Sequence, residues 1–114
     1  MLRAVLVRLA CERRTVTYRD LASLVPVPRP HAIARLTLAL EHLVREDHAA
    51  GRPLLAALAV GRASGGIPGR GFFHLLVELG CYAGPHRGPE AETVHAAELA
   101  RAFAYWGTEP GDGP

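Results

Sequence analysis

GRPLLAALAVGRASGGIPGRGFF, residues 51–73, is an apolar run that ends in a loop carrying five glycines and two arginines. LLAALAV at 54–60 lacks clean alternation, so helix and strand compete. Its short length and its flanks, Pro53 and Gly61, favour a buried strand. GRASGG at 61–66 reads as a turn, and a short return strand near Ile67 would complete a small β-hairpin. Ahead of this segment lie a short helical stretch, TYRDLASL, and a long one, HAIARLTLALEHLVRE. That order predicts a mainly α domain with a small β-hairpin, arranged as a winged helix-turn-helix with an added C-terminal helix.

Working towards the N-terminus, Leu2, Val5, Leu6 and Leu9 form the stripe of a first amphipathic helix. TVT at 15–17 can extend, and Thr17 then caps a second helix over Tyr18–Leu24, with Asp20 three positions on. Pro26, Pro28 and Pro30 end that helix, since each removes a backbone donor and biases its predecessor to extended geometry. Pro30 is well placed to open helix three, which presents Ile33, Leu36, Leu40, Leu43 and Val44 on one face until Gly51 stops it. The opposite face carries Arg35, Leu38, His42 and Arg45, and Leu38 there hints at a partner. Towards the C-terminus, Phe72–Tyr82 shows helical spacing. GPHRGP at 84–89 is a loop, and residues 90–106 form a last helix with Ala96, Leu99, Phe103 and Trp106 facing inward. These elements make one domain over 1–106, followed by a disordered tail at 107–114.

A chain of 114 residues can bury a core without a disulfide scaffold. Its apolar runs reach only seven or eight residues, far below the roughly 20 of a membrane span, so no membrane partner is expected. The first ten residues lack the regions of a secretory signal, and Cys11 and Cys81 show no CxxC spacing. A cytoplasmic location with free thiols follows as the expectation. All thirteen basic residues are arginine, which together with abundant Ala, Gly and Pro suggests a GC-rich bacterial genome. Residues 1–88 hold twelve Arg against six acids, whereas residues 89–114 hold one Arg against five. The formal +2 therefore conceals a basic body, able to attract a polyanion, and an acidic end.

A helix that reads DNA needs donors at its N-terminal end that reach phosphates and base edges. Arg29, His31, Arg35 and Thr37 fit that place on the helix at 31–50. Arg62 and Arg70 suit a wing, where glycine lets the backbone approach phosphates closely. Tyr18 and Arg19 open the second helix and are candidates for backbone contacts. Glu41, Glu46 and Asp47 on helix three count against this reading. The expectation is a non-enzymatic protein that binds double-stranded DNA, with no catalytic residue and no cofactor. The alternative is a protein–protein or homodimerisation module using Leu38 and the acidic, aromatic last helix, without nucleic acid.

TVTYRDLASL followed by HAIARL resembles the winged-helix part of methylated-DNA cysteine alkyltransferases and the alkyltransferase-like proteins, whose pattern is TYGELA, a turn, then RAVGRAL. The resemblance covers residues 15–37 and is thinner over 53–66, which parallels that family's strand and following turn. It implies that Tyr18 matches a phosphate-contacting tyrosine, that His31 stands in place of a base-displacing arginine, and that Ala34-Arg35 matches a Gly-Arg step. Where the family has its PCHR nucleophile motif this chain reads Leu55, Ala56, Ala57, Leu58, so alkyl transfer is excluded at that position. PHR at 85–87 lies about thirty residues too late and holds no cysteine inside it. ALAVGRASGGIPGRGFF separately resembles a TGLPGxGFF pattern of small bacterial proteins, which implies no activity.

His74, Glu78 and Cys81 stand at i, i+4 and i+7 on the predicted fourth helix, with His86 beyond. These are zinc-ligand types, although a satisfied His–Glu pair beside a buried thiol is the ordinary explanation of such a stripe. No metal is therefore assigned. His42, His48 and His95 form no facing pair, and no P-loop or nucleophile elbow is present.

Overall fold

The computed structural model describes residues 1–107. Five α-helices account for most of this span: α1 (Leu2–Cys11), α2 (Tyr18–Leu24), α3 (Ala32–Ala49), α4 (Arg70–Glu78) and α5 (Pro89–Trp106). Two short strands, β1 (Val16–Thr17) and β2 (Ala59–Val60), pair in parallel, with Val16 opposite Ala59 and Thr17 opposite Val60. The fold is thus mainly helical with a small two-stranded parallel sheet. Among the described residues no helix is long and apolar enough to cross a membrane. Of the expected tail, Gly107 caps α5, and 108–114 lie outside the described residues. A Cβ at Gly107 would collide with the carbonyl oxygens of Phe103 and Ala10, so glycine there lets α5 end tightly against α1.

The apolar segment after Pro53 departs from the expected strand. Leu55–Leu58 form one turn of 3₁₀ helix, and only Ala59–Val60 join a ladder. The reason is the length of the available partner. β1 is two residues long, so it can pair only two residues of this segment. The expected hairpin is likewise reduced to a single antiparallel bridge between Gly61 and Ile67. Here the chain closes a compact loop, with Gly61 N–H donating to Ile67 O at 3.0 Å and Gly66 N–H to Gly61 O at 3.1 Å.

Every residue from Pro53 to Val60 is buried, so the backbone of the 3₁₀ turn must find partners inside the protein. Three side chains from other elements supply them. Leu54 N–H donates to Glu98 Oε2 at 2.7 Å, and Leu55 N–H to Asp47 Oδ2 at 3.2 Å. The Ala57 carbonyl accepts from His95 Nε2 at 2.9 Å. Around this turn pack α1 through Leu6, Leu9 and Ala10, α3 through Leu36, Leu40, Leu43 and Val44, and α5 through Ala91 and Ala102.

Asp47 is fully buried and is the strongest of these ties. Its Oδ1 accepts from Arg3 Nη1 at 2.8 Å and from Arg52 Nε at 3.1 Å. Both guanidinium carbons also lie over the Trp106 ring, at 5.3 Å and 5.4 Å from its centroid. Trp106 Nε1 in turn donates to Pro53 O at 2.9 Å. One carboxylate therefore joins α1, α3, the 3₁₀ turn and the end of α5.

Helix boundaries shift for local reasons. α3 begins at Ala32 rather than Pro30, because His31 sits in the left-handed region (φ 65°) as its N-cap. α4 spans Arg70–Glu78 rather than Phe72–Tyr82, and Gly80 at φ 76° turns the chain away. Tyr82 keeps its ring 6.0 Å from Phe73 although it lies outside the helix. On α5 the buried positions are Ala91, His95 and Ala102, with Leu99, Phe103 and Trp106 partly buried. The expected inward Ala96 is exposed, because the face turned to the 3₁₀ turn is the one that carries His95 and Glu98.

Two stability predictions follow from these bonds. Asp47→Asn takes from Arg52 its carboxylate partner and from Arg3 one of two, and sets an amide group against the Leu55 N–H, so it should cost about 3 kcal/mol in urea unfolding. Glu12→Ala, which breaks only the exposed pair with Arg14, should change stability by less than about 1 kcal/mol. Burial lowers the His95 pKa, against a smaller opposing contribution from its bond to Ala57 O. As pH falls below the ordinary histidine value, the unfolded chain takes up a proton that folded His95 resists. Stability should therefore decline with acidification below about pH 6.5. His95→Gln should flatten that part of the urea-midpoint profile.

Candidate nucleic-acid interface

The corner between α2 and α3 is built by capping and by proline. Thr17 Oγ1 accepts from Asp20 N–H at 3.1 Å and starts α2. Val25 then leaves the helix in extended geometry and is buried, while Pro26, Pro28, Arg29 and Pro30 are exposed. α3 opens with no acidic residue in its first turn and no side-chain cap. Its positive dipole end thus faces a groove of about 560 Å³ between the two helices. Arg19 and Ser23 line this groove from α2, Arg29 and His31 from the turn, and Ile33 from α3. Arg35 adjoins the same corner, since its Nε donates to Pro30 O at 3.0 Å. Thr37 instead returns its hydroxyl proton to Ile33 O at 2.9 Å, within the helix.

A second cluster forms around the glycine loop. The Tyr18 ring packs beside Gly61 and Gly69, where a Cβ would come within 3.5 Å and 3.7 Å of its Cε2. Gly69 N–H donates to the Tyr18 hydroxyl at 2.8 Å. Burial raises the Tyr18 pKa, so the hydroxyl keeps its proton and remains a donor. The residue expected to touch phosphate is therefore first a tie between α2 and the loop. Arg62 lies within that loop and Arg70 opens α4, both exposed. Tyr18 and Arg19, neighbours at the start of α2, belong one to each cluster.

Charge pairing divides the arginines into two groups. Arg3, Arg14, Arg45, Arg52 and Arg101 stand in ion pairs. Among the described residues, eight arginines are exposed and have no carboxylate within ion-pair distance: Arg19, Arg29, Arg35, Arg62 and Arg70 of the two clusters, and Arg8, Arg13 and Arg87 elsewhere. Residues 21–40 and 48–77 contain no Asp or Glu. Two of the three acids of α3 that counted against a polyanion are neutralised: Asp47 is buried between two arginines, and Glu46 pairs with Arg3 at 2.8 Å, whereas Glu41 stands in no ion pair among the described residues.

The zinc-type residues are drawn to different partners. Glu78 pairs with Arg45 at 2.7 Å, Cys81 Sγ lies 3.5 Å from His48 Nδ1, and His74 meets the His86 ring edge-on at 6.2 Å. Among the described residues no three His, Cys, Asp or Glu groups are placed to hold a metal ion. Cys81 is exposed rather than buried.

Asp47, Glu98 and His95 escaped the sequence reading. A signal existed for Asp47, which continues the Leu36, Leu40, Leu43, Val44 stripe at helical spacing as an acid on an apolar face. Glu98 and His95 stand three apart on α5, and nothing in their surroundings announces that both reach the same turn. No protein-family model, curated protein or solved structure matches this chain.

Replacing Tyr18 by Phe removes the acceptor for Gly69 N–H. The variant should lose about 1 kcal/mol in urea unfolding, and the Gly69 amide should exchange hydrogen faster than its neighbours when followed by NMR.

Proposed function

We propose that this protein is a non-enzymatic winged-helix domain that binds double-stranded DNA, largely through phosphate contacts. In this reading α3 enters the major groove with its N-terminal end, and the closed glycine loop serves as the wing. The observation that carries it is that, among the described residues, five of the eight exposed arginines without a carboxylate partner gather at the α2–α3 corner and around the glycine loop. An unpaired guanidinium pays no ion-pair cost on meeting phosphate, and each contact releases counterions. His31, at the groove beside the amide end of α3, is the residue that reaches towards the bases. Tyr18, whose hydroxyl retains a proton to donate, contacts backbone together with Arg19.

The resemblance of residues 15–37 to alkyltransferase-like proteins supports the same reading. The Leu55–Leu58 turn stands where the nucleophile motif would be, is wholly buried and contains no nucleophile, which fits binding without alkyl transfer. A dimerisation module is the second reading, favoured by Leu38 on the outer face of α3, 63 % exposed.

The test is a gel shift with a duplex of about 20 base pairs, repeated across salt concentrations. Affinity should fall steeply with salt, with a log–log slope of roughly −4 for five phosphate contacts. Arg35→Ala combined with Arg70→Ala, one change in each cluster, should flatten the slope by about 2 and abolish binding at physiological salt. Unaltered affinity of the double variant at low salt would sink the proposal. Static light scattering showing a dimer whose affinity ignores salt and DNA would favour the second reading.

A further inference from the structure

At the far end of α3 the structure assembles a cysteine and a histidine that the DNA-binding reading does not use. His48 lies in the last turn of α3, and Cys81 follows the end of α4. Cys81 Sγ sits 3.5 Å from His48 Nδ1, within the limit for a hydrogen bond to sulfur, and both residues are exposed. The weaker contact of the thiol is Leu79 O at 3.9 Å. Both side chains line one groove of about 410 Å³ between α3, α4 and α5. Its floor is apolar, from Leu54, Leu76 and Val94, and its charged lining is Arg52 and Arg101 against the single carboxylate of Glu98.

Each part has a chemical role in thiol exchange. A thiolate is the nucleophile, and an imidazole within hydrogen-bond reach can receive the thiol proton as sulfur attacks. The proton then rests on a ring at the carbonyl end of α3, where the helix dipole favours positive charge. The apolar floor suits an organic body; Arg52 pairs with the buried Asp47 and Arg101 with Glu98, so the lining carries two guanidinium groups against one carboxylate of its own, a balance that suits an anionic head. His31 and His48 are seventeen residues apart on one helix, or about 25 Å by its rise. The groove is thus separate from the arginine corner.

From this geometry we infer that Cys81 and His48 form a thiol-modification site for small anionic organic disulfides. Cys81 sulfur attacks one sulfur of the disulfide as its proton passes to His48 Nδ1. The new Sγ–S bond forms while the disulfide's S–S bond breaks, and the departing thiolate takes the proton from His48. The protein thiol is oxidised to a mixed disulfide, and half of the reagent is reduced to a free thiol. Nothing else is consumed.

The experiment follows the reaction of the intact protein with dithiobis(nitrobenzoate), which is anionic, and with dithiodipyridine, which is neutral, at pH 7. Peptide mass mapping locates the adduct, and Cys81→Ser isolates the contribution of Cys11. Native Cys81 should react with the anionic reagent about tenfold faster than in the urea-unfolded chain. His48→Gln, at an exposed position, should return the rate close to the unfolded value. Arg101→Gln should slow the anionic reagent by about threefold and leave the neutral one unchanged. A native rate equal to the unfolded one, or a His48→Gln rate equal to native, overturns the site. Equal effects of Arg101→Gln on both reagents overturn the anionic preference. The Arg35→Ala, Arg70→Ala protein should keep its thiol reactivity, so failure of DNA binding and failure of this site are read separately.

Discussion

The Asp47 carboxylate, shut away from water and shared by Arg3, Arg52 and the Leu55 amide, is the contact on which the rest of the fold depends. A buried charge is tolerable only when its oxygens are occupied, and here each has a donor. The need arises from the 3₁₀ turn at Leu55–Leu58, whose peptide groups lie in the centre of the molecule without a strand to pair with. Glu98 and His95 complete the same task from α5. The centre is therefore held by directional bonds as well as by apolar packing, and three helices are fixed in rotation about it.

That arrangement divides α3 into two ends with different chemistry. Near Ala49 the acids Glu46 and Asp47 turn inward to Arg3 and Arg52, and the cations of that region are neutralised with them. Near Ala32 there are no acids to neutralise Arg29 and Arg35. Charge is sorted along one rod, so the corner with α2 keeps a positive field while the opposite end keeps a thiol, an imidazole and a groove. Tyr18 extends the sorted charge to the glycine loop by holding Gly69 beside the start of α2, which brings Arg62 and Arg70 into the neighbourhood of that helix.

Local signals in the chain specified the helices well, because capping and periodicity act within a few residues. Thr17 with Asp20 marks the start of α2, the proline run marks its end, and the apolar stripes of α1 and α3 pick out their buried faces. The basic character of residues 1–88 is legible in the chain itself, and Arg29, Arg62 and Arg70, each beside proline or glycine in loops or at a helix start, are exposed as that placement implies. The apolar run at 54–60 reads as a buried strand; it is buried throughout, and only Ala59–Val60 pair as a strand. Burial follows from composition, whereas a strand needs a neighbour, and the neighbour is only two residues long.

From its residues alone, then, the protein's helices, the buried nature of its central segment and the exposure of Arg29, Arg62 and Arg70 are determined, because each rests on hydrophobic periodicity, capping or proline and glycine geometry over short spans. Tertiary structure alone decided that Asp47, His95 and Glu98 would serve one turn, that Trp106 would cover two guanidinium groups, and that Cys81 would meet His48. These contacts join positions 33 to 103 residues apart or depend on which peptide groups lack a partner once the chain has closed. Such pairings are set by the packing of whole helices, and no local pattern encodes them.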